Sequence, residues 1–207
     1  MGLIAKSTES NTGFIQPEVG VHEARCVKVI DLGTQKSTFE GETSWKRQVM
    51  LIWELPEQLK DGMPLTISKF YNLSLHEKSK LGADLTSWRG RAFTETEKQG
   101  FDIGNLLNVG CMLNLIEDKR GKVQVNSVMP HNKADSLRPA IHDVVLFTVE
   151  DFQQNKRESF NMLSEGIRNM ILRSKELEGM NTDMGDEAND IGAVSYTHLT
   201  LPTICSV

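Results

Sequence analysis

Apolar and polar positions change period several times along the chain, and each change marks an element. From Gly20 to Thr34 the run GVHEARCVKVIDLGT carries Ala24, Cys26, Val27, Val29 and Ile30 in a β-compatible pattern, which Gly33 is expected to break. A polar loop is expected from Gln35 to Thr43, with Phe39 and Gly41 near its tip. Trp45 to Leu55 (WKRQVMLIWEL) is apolar on both parities in its middle, the pattern of a central strand buried on both faces, and Pro56 is expected to end it. Asp61-Gly62 signals a turn, and Pro64 to Leu75 reads as a third strand. The period then becomes helical over residues 77–89, with Leu81, Leu85 and Trp88 at i, i+4 and i+7. Thr94 and Glu97 make a capping-box pattern that opens a short helix, Gly100 stops it, and FDIGNLLN adds a further turn. Cys111–Glu117 and Lys122–Met129 read as two strands joined by the tight turn DKRG, the clearest hairpin in the sequence.

Three strands, a helix and two more strands is the order of the OB-fold, a five-stranded barrel with a helix between strands 3 and 4. A six-stranded barrel or a small sandwich fits the same string. The expected fold class is therefore mainly β with α additions. Residues 1–19 read as a flexible arm ending at Pro17, and residues 20–133 as the barrel domain. Residues 134–178 form a C-terminal extension: a linker over 134–143, the short apolar segment DVVLFTVEDF, and one amphipathic helix over 156–178 with Phe160, Leu163, Ile167, Met170 and Ile171 on one face. That helix can pack on its own barrel or on a neighbour's, in a homo-oligomer. Residues 179–192 are acidic and poor in aromatics, the composition of a disordered tail.

The last residues, 193–207, differ from everything before them. VSYTHLTLPT, Val194 to Thr203, resembles a translated transposase-library adapter, whose bases GTC TCT TAT ACA CAT CTG ACG CTG CCG ACG encode the same ten residues, and the two adapter bases before them would complete an Ala codon where Ala193 stands. This segment is expected to be non-native, with the true C-terminus missing, and it carries no weight in fold or function.

The chain has 207 residues and a net charge of −5, which by itself argues against nucleic acid. The distribution changes that picture. Residues 20–133 hold 16 Lys and Arg against 14 Asp and Glu, a balance of +2, whereas residues 134–207 hold 6 against 12, a balance of −6. The three cysteines, Cys26, Cys111 and Cys205, form no CxxC pair, and the first two sit in apolar runs where a thiol acts as a small hydrophobe. A reducing cytoplasm is the expected compartment. No apolar run approaches the roughly 18–20 residues needed to span a bilayer, so no membrane partner is expected.

Several blocks together resemble a known family. These are Ile30–Gln35 (IDLGTQ), the strand ending IWEL, Ser74–Asn108 with its core SKLGADLTSWRGRAFT and GFDIGNLL, the hairpin CMLNLI…GKVQVNSV, and VLFTVEDF…FNMLSEGIRNMI. Over roughly residues 20–178 the chain resembles phage OB-fold single-stranded DNA-binding proteins. The resemblance implies sequence-tolerant binding of single-stranded DNA in phage replication or recombination, inside a bacterial host cell. It also implies phage or host replication proteins as partners through an acidic tail.

Single-strand binding needs a basic groove for phosphates and aromatic faces for bases. Trp45, Lys46 and Arg47 form an aromatic-basic cluster opening strand 2, with Lys36 and Phe39 in the loop before it. Lys69, Phe70 and Tyr71 repeat the mix on strand 3. Phe70 and Tyr71 point to opposite faces, and Tyr71 is expected to be the exposed one. Trp53 and Trp88 read as core, and Lys78 and Lys80 as solvent-facing helix residues. Arg89 and Arg91 can reach phosphates or cap the helix C-terminus. Lys119, Arg120 and Lys122 crowd the last hairpin turn. Catalysis finds no footing: the histidines are scattered, no P-loop or dinucleotide glycine motif occurs, and no strand clusters carboxylates for metals. The expectation is a non-enzymatic protein without cofactor. The competing reading is an OB-fold protein-interaction adaptor in a phage replication complex.

Overall fold

The computed structural model describes residues 15–39, 42–131 and 137–178. Three long strands, β1 (Gly20–Phe39), β2 (Glu42–Lys60) and β3 (Met63–Asn72), form an antiparallel meander. Asp61 and Gly62 close its second hairpin with φ of 53° and 82°, the positive pair that a two-residue type I′ turn requires. Helix α1 (Lys80–Arg89) follows, capped by the Ser79 side chain and ended at Gly90 in the left-handed region. Helix α2 (Glu95–Gln99) carries the complete Thr94/Glu97 capping box, and a 3-10 turn spans Ile103–Leu106. A second hairpin, β4 (Gly110–Glu117) and β5 (Val123–Met129), completes a sheet in the order β3-β2-β1-β4-β5. A sixth strand, β6 (Val145–Phe147), pairs parallel to β1 at Lys28–Ile30.

The protein is thus mainly β, with the expected helix between its third and fourth strands. The sheet does not close. Among the described residues β3 and β5 share no main-chain pairing, although they approach closely enough for Lys69 Nζ to donate to the Asn126 carbonyl at 3.2 Å.

Several boundaries fall elsewhere than the pattern predicts. Gly33 does not end β1. It sits at a bulge after Asp31 with φ +68°, its N–H donating to Asp31 Oδ1 at 3.0 Å, and the strand continues. The expected loop after Gln35 is instead a two-stranded ribbon pairing residues 33–39 with 42–48. Pro56 does not end β2 either. It lies in an irregularity between Leu55 and Leu59, the kind of position that tolerates a residue without an N–H. The expected helix over 156–178 is broken into α4 (Glu158–Asn161), α5 (Glu165–Leu172) and a 3-10 turn (Lys175–Leu177), after α3 (Val149–Gln153). Ser164 starts α5 in extended conformation and Ser174 the final turn, so the chain bends around the sheet. Residues 15–18, expected to be a loose arm, are tied down. Gln16 donates to the Gly121 carbonyl at 2.9 Å and accepts from the Val123 N–H at 2.7 Å, and the Glu18 N–H donates to Gln58 at 2.8 Å. The tails expected at 179–192 and 193–207 lie outside the described residues.

The central strands are buried on both sides. One face joins Val29, Leu51, Trp53, Leu113 and Val128 to Leu81, Leu85 and Trp88 of α1. Trp53 and Trp88 stack obliquely at 6.2 Å, and Trp88 Nε1 donates to the Gly110 carbonyl at 2.9 Å. Cys26 and Cys111 lie in this core as free thiols; burial pushes Cys26 up to about 12 and Cys111 well above its ordinary value. The opposite face joins Ile30, Leu32 and Met50 to Phe147, Phe152, Phe160 and Ile171 from the C-terminal extension. Buried Glu54 on β2 fastens the start of that extension, accepting from the N–H groups of Ile141 (3.1 Å) and His142 (2.8 Å). Among the described residues no helix is long and apolar enough to cross a membrane.

Candidate nucleic-acid interface

Because β3 and β5 do not pair, a groove of about 570 Å³ opens between them, with Gln16 and Pro17 also on its wall. Lys69 and Phe70 of β3, Lys80 at the start of α1, and Arg120 and Lys122 of the β4–β5 turn line it. Asp118 is the carboxylate there, and it is spent on the turn. It accepts from the backbone N–H groups of Lys122 (3.0 Å) and Arg120 (2.7 Å), which hold its carboxyl below the usual range. Lys80, Arg120 and Lys122 form no ion pair among the described residues, and all three are exposed.

The aromatic wall corrects an expectation. Tyr71 is 3% exposed, its hydroxyl donating to Asp84 Oδ2 at 2.8 Å, while Phe70 is 48% exposed on the groove. Strand parity puts Ile67, Lys69 and Tyr71 on the core side. Tyr71 is satisfied there because Asp84 of α1 takes its proton donor. Burial first, then the Asp84 charge, pushes the phenol far above its ordinary value. Asp84 also takes Lys69 Nζ at 2.7 Å, so that lysine is partly neutralised and bolts β3 to α1 and β5.

The ribbon forms a second cluster. Lys36 pairs with Trp45, Gln35 with Lys46 and Thr34 with Arg47. Trp45 is 42% exposed, and Lys36 and Lys46 are exposed beside it. The side chain of Phe39 lies outside the described residues. Arg47 is not available to a ligand in the way its neighbours are. It pairs with Asp31 and Glu150, each at 2.6 Å, and the bond to Asp31 is the chief reason its guanidinium is held still more firmly charged. It borders a second pocket of about 210 Å³ walled by Val29, Val49, Leu73, Phe101 and Leu146.

Arg89 and Arg91 serve the helix ends. Both pair with Glu97 of α2, Arg91 in a two-pronged contact at 2.7 and 2.9 Å, and Arg89 also lies over the rings of Phe93 (4.3 Å) and Phe101 (5.2 Å). These bonds, that of Arg91 first, hold the Glu97 carboxyl far below its usual range. Neither arginine lines the groove, and Lys119, though exposed on the same turn as Arg120, does not either. The sequence offers both Phe70 and Tyr71 and favours the wrong one, and it marks Lys80 only as a solvent-facing helix residue. The signal for Phe70 was its parity opposite to Ile67. Lys80 gave none, because its place in the groove depends on where α1 docks.

The groove therefore joins an exposed aromatic face to three exposed cations, and the ribbon adds another aromatic-cation group. Such an arrangement can hold an anionic chain that carries flat rings. No protein-family model matches the chain, and no curated protein sequence matches it.

Proposed function

We propose that the protein binds single-stranded DNA without sequence preference, in phage replication or recombination, on an OB-fold whose seam between β3 and β5 is the binding groove. The observation that carries this is the meeting of exposed Phe70 with Lys80, Arg120 and Lys122 along that seam. Phe70 offers a ring on which any base stacks, and the cations track phosphates. The strand order β3-β2-β1-β4-β5 with α1 between β3 and β4 supports the OB-fold reading. The choice of DNA and the phage setting rest on the family resemblance, since the groove chemistry suits any single strand.

Titration of a fluorescent oligo-dT with the full chain, followed by anisotropy at several salt concentrations, tests this. With three groove cations engaged, log affinity should fall against log salt with a slope of about −2, at about −0.7 per phosphate contact. Labelled duplex should bind more weakly, and oligo-rU reports any preference for DNA. No binding to the single strand at low salt overturns the reading. A second reading, a protein-interaction adaptor, is favoured by the apolar pocket at Leu73 and Leu146, which are 40% and 42% exposed. Failure of the DNA titration moves that reading to first place.

A further inference from the structure

The ribbon that carries Trp45 is not a free flap, because the far end of the described chain grips its base. Thr34 donates twice to Glu176, from its N–H to Oε2 at 2.7 Å and from its hydroxyl to Oε1 at 2.6 Å. Gln35 donates to the Met170 carbonyl at 3.0 Å. Gly33 faces Ser174 so closely that a Cβ built on it would lie 2.6 Å from the serine Cβ. The gripping segment is itself anchored, since Ser174 and Leu177 are 0% and 1% exposed and Leu177 packs in the layer of Ile30, Leu32 and Phe147. Burial disfavours the Glu176 charge, but the two bonds from Thr34 outweigh it and hold the carboxyl below its usual range.

The same segment places a cation at the tryptophan. Lys175 Nζ lies 5.7 Å from the centre of the Trp45 ring, and Lys175 is exposed and forms no ion pair among the described residues. Arg47, the sequence neighbour two positions along, is held by Asp31 and Glu150. A cation on one face of an indole leaves the other face for a base, and it stands within a side chain's reach of that nucleotide's phosphate.

We propose that Ser174–Leu177 is part of the single-strand interface, with Lys175 as a strand-contacting residue paired to Trp45 and Glu176 as the positioning residue that fixes the ribbon. This rests on the single-strand reading above. The test is the oligo-dT titration of the full chain over a salt series, with Lys175→Gln, Glu176→Gln, Trp45→Ala and the double variant Trp45→Ala/Lys175→Gln, each checked for an unchanged thermal melt. Lys175→Gln should weaken binding about threefold to tenfold and flatten the log–log salt slope by about 0.7, the loss of one phosphate contact. That loss should shrink in the Trp45→Ala background. Glu176→Gln should also weaken binding, although removing a negative charge would by simple electrostatics tighten it. A wild-type protein that binds while both single variants match it, or a Glu176→Gln variant that binds more tightly, overturns the proposal and leaves the groove reading standing. An equal Lys175→Gln loss with and without Trp45 overturns the pairing. A wild-type protein that fails to bind at low salt defeats the single-strand reading itself, and this proposal with it.

Discussion

Phe70 and Tyr71 are adjacent aromatics with opposite fates, and the deciding group is one hydroxyl. Asp84 gives that hydroxyl a partner inside, so the tyrosine is buried and the phenylalanine is left outside on the groove. Hydrophobicity alone orders the two the other way, which is why the exposed ring could not be read from residue type. The parity of Ile67, Lys69 and Tyr71 was legible, but which parity faced inward depended on α1. Substitutions should separate the two roles. Phe70→Ala should weaken oligo-dT binding by about 1–3 kcal/mol, the value of one stacked base, with little change in melting temperature. Tyr71→Phe should leave binding unchanged and cost about 1 kcal/mol of stability in urea unfolding, as one buried hydrogen bond is lost.

The buried thiols and phenol also set an alkaline limit. Cys26, Cys111 and Tyr71 are all held above their ordinary values by burial. Their contribution to stability is complete below the unfolded-state values, about 8.5 for Cys and 10 for Tyr. As pH rises past those values the unfolded chain loses protons that the folded chain keeps, so stability falls, by up to about 1.4 kcal/mol per pH unit per group. For Cys26 the loss runs until about 12, where the folded thiol ionises as well. Urea midpoints at pH 8, 9.5 and 10.5 should decline in that order, and Cys26→Ala should flatten the decline.

At the level of elements, local chemistry was readable and bends were not. The Asp61-Gly62 turn, the Thr94/Glu97 box and the β4–β5 hairpin are each written within a few residues, and each forms where expected. The bulges at Gly33 and Pro56 and the breaks at Ser164 and Ser174 are decided by what the chain packs against. The carboxylates that claim Arg47 come from β1 and from α3. Glycines make the distinction measurable. Gly33 and Gly62 both have positive φ, +68° and +82°, but a Cβ at Gly62 meets nothing within 4 Å while one at Gly33 strikes Ser174. Gly62→Ala should cost about 1–2 kcal/mol, the strain of the left-handed backbone. Gly33→Ala should cost clearly more in the same urea assay. It should also expose residues 165–178 to limited proteolysis, because the C-terminal segment must move.

Across the whole molecule, the C-terminal extension is a second layer on the sheet. Removing it would uncover Ile30, Leu32 and Met50, buried at 0%, 0% and 6% exposure. At about 1.5–3 kcal/mol each, that is about 5–9 kcal/mol, comparable with the entire stability of a domain, about 5–15 kcal/mol. A chain ending at residue 134 should therefore lack a cooperative thermal transition and bind a hydrophobic dye, whereas one ending at residue 178 should melt sharply and not bind it. The sequence marked the apolar face at Phe160, Leu163 and Ile171 but left its partner open, own barrel or neighbour's. The structure seats it on its own sheet.

The sharing of β1 between two layers has a consequence for how the chain reaches this state. β1 pairs with β2 through a local hairpin, but with β6 only after more than a hundred intervening residues have been made. During synthesis the meander emerges first, and one of its two apolar faces must wait for Phe147, Phe152 and Phe160. Distant contacts of this kind form late because the loop between them must close first. The nascent protein thus passes through a stage with a sticky, uncovered sheet surface, the kind that invites association with other chains. Slower arrival of residues 137–178 to cover that surface should therefore lower the soluble yield.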